Sequence, residues 1–339
     1  MNLKEKYRQL FLNPTQCEPL VVISAAPPSR YTIGEMIRDP AKMLESQLDN
    51  VKFHQEIGDD YLPSLRVNFG TAQIAQAFGC PTEILEDTYP PCTGHVLEAI
   101  AQADELPLPG FDNPFNRELV RFTQYFLEHK PADIPIQHPD VQSAFNSGHL
   151  IRGNDILFDF FDDPDHVKVL LRKVCDYMIE WIRWTKAPIS DETDWFYDAG
   201  GYWKGGARIS NCTMQINSPD QYRDFVMEED IRFLNAVNGG RVHYCGSNSE
   251  VIRDFMRIDS AYTFEIDSQY HDLIEMCEIC PPEKVMHFCD WSTDPGNRSW
   301  FDKIMAVDIP AKKNIVVLAK AASLDEAKRV YDMLKSKLC

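Results

Sequence analysis

From residue 241 to the end, the chain spells strand then helix four times in succession. The strand "RVHYC" precedes the helical pattern "SNSEVIRDFMRI", and "AYTFEID" precedes "QYHDLIEMCEI". "KVMHFCD" precedes "SWFDKIMAVDI", and "NIVVLA" precedes "SLDEAKRVYDMLKS". Consecutive strand–helix units impose parallel strands, right-handed crossovers and helices laid over the sheet. A closed (β/α)8 TIM barrel and an open doubly wound sheet both satisfy this. No G-x-G-x-x-G follows a strand, which counts against the dinucleotide-binding version of the open sheet.

The alternation already starts near residue 133. "DIPIQ" reads as a strand before "DVQSAFNSG", and "DILFDFF" as a strand before the long helix "DPDHVKVLLRKVCDYMIEWIRWTK". Asp163 is placed to cap that helix, with Pro164 at its first position. "DWFYDAG" and "GARISN" are short candidate strands. The helix "SPDQYRDFVMEEDIRFLNAV" starts at Ser218 with Pro219 behind it and stops at Gly239-Gly240. Ser247 with Glu250, and Ser323 with Glu326, have capping-box spacing.

With 339 residues the chain is long enough for one α/β barrel. "LPLPGFDNPF" is read as a long loop and not a linker, so residues 1–339 form one barrel domain with an N-terminal extension and long early loops. The formal net charge of −18 argues against nucleic acid and anionic membranes, both of which select Lys and Arg. "MNLKEKYRQLFLN" lacks a signal-peptide core, and "PLVVISAAPP" is too short to span a bilayer. A cytoplasmic location is therefore expected, and the ten cysteines are read as thiols, core residues or ligands.

In a parallel barrel, chemistry collects where strands end. Period two puts His243 and Cys245 on one face of the first strand. Glu265 and Asp267 end the second, and His287 and Cys289 repeat the H-x-C spacing on the third. Thiolate, imidazole and carboxylate are the donors of zinc, and thiolates favour zinc over magnesium or calcium. The competing reading is that these are core residues, since cysteine is among the most buried types.

The segment "YWKGGARISNCTMQINSPDQY" holds further candidates: Tyr202, Trp203, Arg208, Asn211 and the neighbouring Cys212. Gly205 and Gly206 would let the backbone approach a ligand, and Arg208 could fork onto a carboxylate or phosphate. Upstream, Asp59 and Asp60 precede an apolar strand carrying Arg66, where a solvated turn is the plainer explanation. Trp181, Trp184 and Tyr177 read as core aromatics.

The runs "ISNCTMQINSPDQYRDFVMEED", "VHYCGSNSEVIRDFMRID" and "AYTFEIDSQ", together with "FGTAQIAQAFGC" and "IVVLAKAASLDEAKRVYDML", resemble the uroporphyrinogen decarboxylase superfamily over most of the chain. The resemblance implies a (β/α)8 barrel. The decarboxylase branch has an Arg-rich N-terminal stretch, where this chain has only Arg30 and Arg38. The zinc-dependent corrinoid methyltransferase branch begins its zinc motif with His-x-Cys, matched by His243 and Cys245. Its second cysteine lies on the last strand, where "VVLAKAAS" has none, leaving Cys289 as substitute. The related cobalamin-independent methionine synthases add a carboxylate, for which Glu265 or Asp267 is placed.

The resemblance thus implies a zinc-dependent methyltransferase moving a methyl group from a corrinoid, carried on a partner protein, or another donor to a thiol. His243, Cys245, Cys289 and Glu265 would hold the metal. Arg208, Asn211 and Asp267 would act at the reacting centre, and Asp60, Arg66, Tyr202, Trp203 and His287 would bind substrate. The alternatives are a metal-free lyase acting on a carboxylated substrate through Arg208, Arg66 and an aspartate, and a non-catalytic partner-binding barrel. A homodimer is compatible with any of these.

Overall fold

In a computed structural model of the protein, residues 1–291, 299–306 and 312–339 are described. The parallel strands are β1 (Leu20–Ser24), β2 (Leu65–Arg66), β3 (Ile136–Gln137), β6 (Ala207–Ser210), β7 (Gly240–Tyr244), β8 (Ala261–Asp267), β9 (Val285–Cys289) and β10 (Ile315–Lys320). Between β3 and β6 lies an antiparallel hairpin of β4 (Trp195–Asp198) and β5 (Gly201–Lys204). The central sheet has six strands in the order β1-β10-β9-β8-β7-β6, and β2 pairs only with β3.

The two sheets meet along one side. Beyond β3 the chain bridges to β6, where the Ser210 amide donates to Val141 O at 3.1 Å and the Ser143 amide donates to Ser210 O at 2.8 Å. On the other side β1 has no ladder to β2. Its amides are taken by side chains: Val21 N–H donates to Asp60 Oδ2 at 2.9 Å and Ile23 N–H to Asp59 Oδ2 at 2.8 Å. The expected parallel α/β architecture is present, but a continuous eight-strand ladder is not formed among the described residues. Two-residue strands such as β2 offer too few backbone groups to close it.

The sheet separates two apolar clusters by strand period. The outer one packs Ile209, Val242, Tyr244, Phe264, Ile266, Met286, Phe288 and Val317 against the helices. The inner one holds Leu20, Val22, Val285, Cys289, Val316 and Leu318 with Tyr7, Phe196, Tyr202 and Trp203. Tyr7 comes from the N-terminal helix Leu3–Leu12, and its hydroxyl donates to Asp60 O and Gly200 O, tying helix, hairpin and β1 together. The hairpin therefore drives aromatic bulk into the concave face. Its first strand, the candidate strand "DWFYDAG", turns back because Ala199-Gly200 adopts left-handed conformation between β4 and β5.

Three further expectations change. "DILFDFF" is a helix, Ile156–Asp162, which buries Ile156 and Phe160 four residues apart and exposes Phe158 and Phe161. Asp163 makes no side-chain cap, because its carboxylate bonds to His166 Nδ1. The helix Ser249–Met256 is capped by Asn248 and not Ser247. The helix expected over residues 299–309 covers Ser299–Ala306, and its last three residues lie outside the described ones. Among the described residues no helix is long and apolar enough to cross a membrane.

Candidate metal centre

Strand register sorts the inward side chains into rows. Arg208, Arg241 and Thr263 are neighbours in the first row, and Ser210, His243, Glu265 and His287 in the second. Asp267 and Cys289 are neighbours in a third, with Cys245 two residues beyond His243. The candidate residues thus stack from a deep floor towards the C-terminal rim.

The floor is an ion-pair network. Arg241 is fully buried; it pairs with Asp198 and, through Nη2, with Glu265 Oε2 at 2.7 Å. Arg208 donates from Nε to Glu265 Oε2 at 3.1 Å and pairs with Asp140, while Arg66 pairs with Asp198. Three guanidinium groups therefore face three carboxylates. Burial alone would push both central carboxyls up. For Asp198 the arginines 66, 241 and 208 outweigh it and hold the group down at about 2. For Glu265 the arginines 241 and 208 and His243 hold it well below the usual carboxylate range. Trp203 closes the floor: Arg241 lies 4.5 Å over its ring, His287 stacks on it at 5.1 Å, and its Nε1 donates to Asp198 O.

Among the described residues, two groups of side chains have ligand atoms within 4.8 Å of one another: Glu265, His287 and Cys289, and Cys212, His243 and Cys245. In the first, Arg241 Nη2 donates to His287 Nδ1 at 2.8 Å. That fixes the neutral ring with its proton on Nε2. Burial and Arg241 pull His287 down to about 3. Cys289 is buried, and its thiol is pushed well above its ordinary value by burial and by Glu265. A cation here would meet Arg241 and find Glu265 already engaged.

The second group is differently placed. Cys212 opens the short turn Cys212–Ile216 after β6, and Cys245 follows β7. Both are only partly buried. The Cys212 thiol hydrogen-bonds Cys245 and, against burial and with help from His243, lowers Cys245 to about 5. The same bond and burial push Cys212 up, so the two sulfurs hold one proton between them. His243 Nδ1 lies 3.1 Å from Glu265 Oε2 though out of hydrogen-bond alignment, and Glu265 raises its proton affinity against burial and Arg208. Two thiols and one oriented imidazole are a zinc donor set with an open position.

The remaining candidates scatter. Asp267 accepts from Gln269 Nε2 at 2.7 Å and from Gln269 N at 3.2 Å; burial raises its pKa, with Cys245 and Asp290 adding to the shift. Asn211 is buried with its amide donating to Asp230 Oδ2 at 2.8 Å, on the helix side of the turn. Tyr202 bonds to Glu192 beneath the floor. Asp60 anchors β1 and pairs with Lys335 at 3.2 Å, apart from the rim. Gly205 and Gly206 admit no ligand; a Cβ there would lie 2.3 Å from Gly239 O and 2.1 Å from Val237 O, so their bareness lets the 237–239 turn approach. A C-x-x-C pair, Cys277 and Cys280, ends the helix Leu273–Ile279, but both thiols are buried and pushed up, to about 12 and about 11.

Sequence reasoning missed Arg241, Asp198, Asp140 and the role of Cys212. Arg241 is in phase with His243, and Cys212 with Arg208 and Ser210, so period two carried a signal for both. Asp140 and Asp198 come from irregular chain and the hairpin, where no periodicity points inward.

No family model matches the chain, and no curated protein matches it. Among solved structures, a methyltransferase from Methanosarcina mazei superposes with a TM-score of 0.73 over 99% of both chains, at 14% identity. The likeness is one of fold along the whole length.

Proposed function

We propose that the protein is a zinc-dependent methyltransferase that passes a methyl group from a corrinoid or similar donor to a thiol. The observation that carries the reading is the convergence of Cys212, His243 and Cys245 at the open end of the sheet. These three would hold the metal, with Cys212 in the place assigned from sequence to Cys289. Zinc, when bound, would supply the Lewis acidity that keeps an acceptor thiol in its nucleophilic thiolate form. Glu265, clamped by Arg208 and Arg241, would orient His243 and hold its proton on Nδ1. Asp267, with its raised proton affinity, would accept the proton that the acceptor sheds. The fold shared with a methyltransferase is compatible with this and decides nothing finer.

The lyase reading needs a cation free to grip a substrate carboxylate. Arg66, Arg208 and Arg241 are all matched by Asp140, Asp198 and Glu265. A carboxylate would have to displace one of these buried partners. The experiment is elemental analysis of protein purified without added metal or chelator, followed by methyl transfer from methylcobalamin to small thiols. One zinc per chain and zinc-dependent transfer are expected. Metal-free protein that decarboxylates a substrate would overturn the reading.

A further inference from the structure

A second pair of thiols lies well away from the candidate centre in sequence. Cys80 is buried, its thiol donating to Leu150 O at 3.5 Å, and Cys92 is half-buried on the facing arm of the same loop. The chain on either side is pinned into a narrow neck. Thr82 and Cys92 form an antiparallel bridge, the Thr93 amide donates to Pro81 O at 2.8 Å, and the Glu83 amide to Pro91 O at 3.3 Å. Between them, residues 83–91 form a loop that clasps its neighbours. Thr32 and Arg38 bond to the Glu86 carboxylate, and Gly34 N–H donates to Glu86 O. Asn68 Nδ2 donates to Tyr89 Oη at 2.7 Å, and Tyr89 packs where Gly70 lacks a side chain. Residues 32–38 follow β1, and residues 68–70 follow β2.

We propose that Cys80 and Cys92 are a reversible redox modification site, closing to a disulfide at the neck of the 80–92 loop when the protein meets a low-molecular-weight disulfide. Cys92 is the attacking sulfur, because it is the one solvent reaches. Its thiolate attacks one sulfur of the external disulfide and expels a thiolate, leaving a mixed disulfide on Cys92. Cys80 then loses its proton and attacks the Cys92 sulfur, expelling the second thiolate. Two protein thiols are oxidised, one external disulfide is reduced to two thiols, and the two protons end on those thiols. The neighbouring Cys80 lowers the Cys92 thiol, which suits an attacking cysteine. The closed neck would fix the clasp on the loops after β1 and β2.

The test treats zinc-supplemented full-length protein with glutathione disulfide, quenches with acid, and digests with a protease that cleaves after Glu83 and Glu86. Both cleavage sites lie between the two cysteines, so only a disulfide keeps the two peptides together. A linked 80–92 pair is expected, with a thermal midpoint about 5 °C higher than that of the reduced protein. In Cys80→Ser, glutathione should remain on Cys92 as a stable mixed disulfide, for want of a resolving thiol. Cys92→Ser should leave Cys80 unmodified, and this half-buried change serves should the buried one not fold. Glutathione persisting on Cys92 of the parent protein, or both thiols untouched, would overturn the proposal.

Discussion

His243-x-Cys245 and His287-x-Cys289 have the same spacing, lie on parallel strands two apart in one sheet, and face the same side. Their surroundings make them opposites. His287 is pinned as an acceptor by Arg241 and stacked on Trp203, one row below a fully buried thiol. His243 is held from one side by a carboxylate, beside two partly buried thiols that share a proton. A spacing motif fixes only where side chains point. Whether they ligate depends on the charge that the neighbouring strands bring to them. One arginine, Arg241, turns the second pair into part of a structural floor, and Glu265, between the two, belongs to both.

The largest effect should separate the two pairs by metal content. Cys245→Ser and Cys212→Ser are each expected to weaken zinc by more than the ~10–100-fold typical of losing an outer-shell partner, because a hydroxyl stays protonated where a thiol ionises. Cys289→Ser should leave one zinc per chain. Elemental analysis of the three purified variants checks this. Zinc retained by Cys212→Ser and lost by Cys289→Ser would reverse the assignment.

The next test breaks the shared element. Glu265→Gln leaves Arg208 and Arg241 buried with one counter-charge fewer, which should cost about 3–5 kcal/mol of unfolding free energy in urea. It should also weaken zinc ~10–100-fold through His243. Asp140→Asn alters the partner of Arg208 and Gln142 but none of His243, and should destabilise less while sparing the metal. Equal zinc affinity in parent and Glu265→Gln would mean that His243 does not depend on that carboxylate.

How much of this contrast was legible beforehand follows from where order comes from. The four strand–helix units after residue 240 are long, periodic and capped, so their strands and inward residues could be read directly. His243, Cys245, Glu265, Asp267, His287 and Cys289 all come from that half. Of the partners that decide their chemistry, Arg241 comes from it too, but Arg208, Asp140 and Asp198 do not. Asp140 follows a two-residue strand, and Asp198 stands at the turn of a hairpin. Their positions are set by tertiary packing, which leaves no local pattern. The resemblance asks for a later cysteine, which points to Cys289. The register of β6 against β7 brings an earlier one closer.

Acid should separate the two pairs with a smaller effect. Above the raised pKa of His243, zinc displaces one thiol proton from the first pair, so its affinity should rise about tenfold per pH unit. Below the raised pKa of His243, which lies above 6.5, a second proton must leave and the slope should steepen towards two. Below about 5, where Cys245 also protonates, it should approach three. The floor responds elsewhere. Asp198 has its pKa depressed from 3.8 to about 2, so its stabilisation is complete above the unfolded value and is lost only as pH falls through that interval. Competition with a chromophoric chelator, with circular dichroism alongside, should show metal affinity collapsing while the fold persists.

The smallest effect is optical and uses one tryptophan for each pair. Trp291 meets the His243 ring edge-on with centroids 5.9 Å apart, whereas Trp203 stacks on His287 and Arg241 in the floor. Binding of zinc at His243 replaces a metal-free imidazole with a metal-bound one beside Trp291, and leaves the charge around Trp203 unchanged. Titrating zinc into apo-protein should therefore change tryptophan emission modestly. Trp291→Phe should abolish the change at unaltered stoichiometry. Trp203→Phe should preserve it while losing the Nε1 hydrogen bond to Asp198 O, a cost of about 1 kcal/mol plus some packing. A signal that survives Trp291→Phe and vanishes in Trp203→Phe would place the metal over the floor, among Glu265, His287 and Cys289.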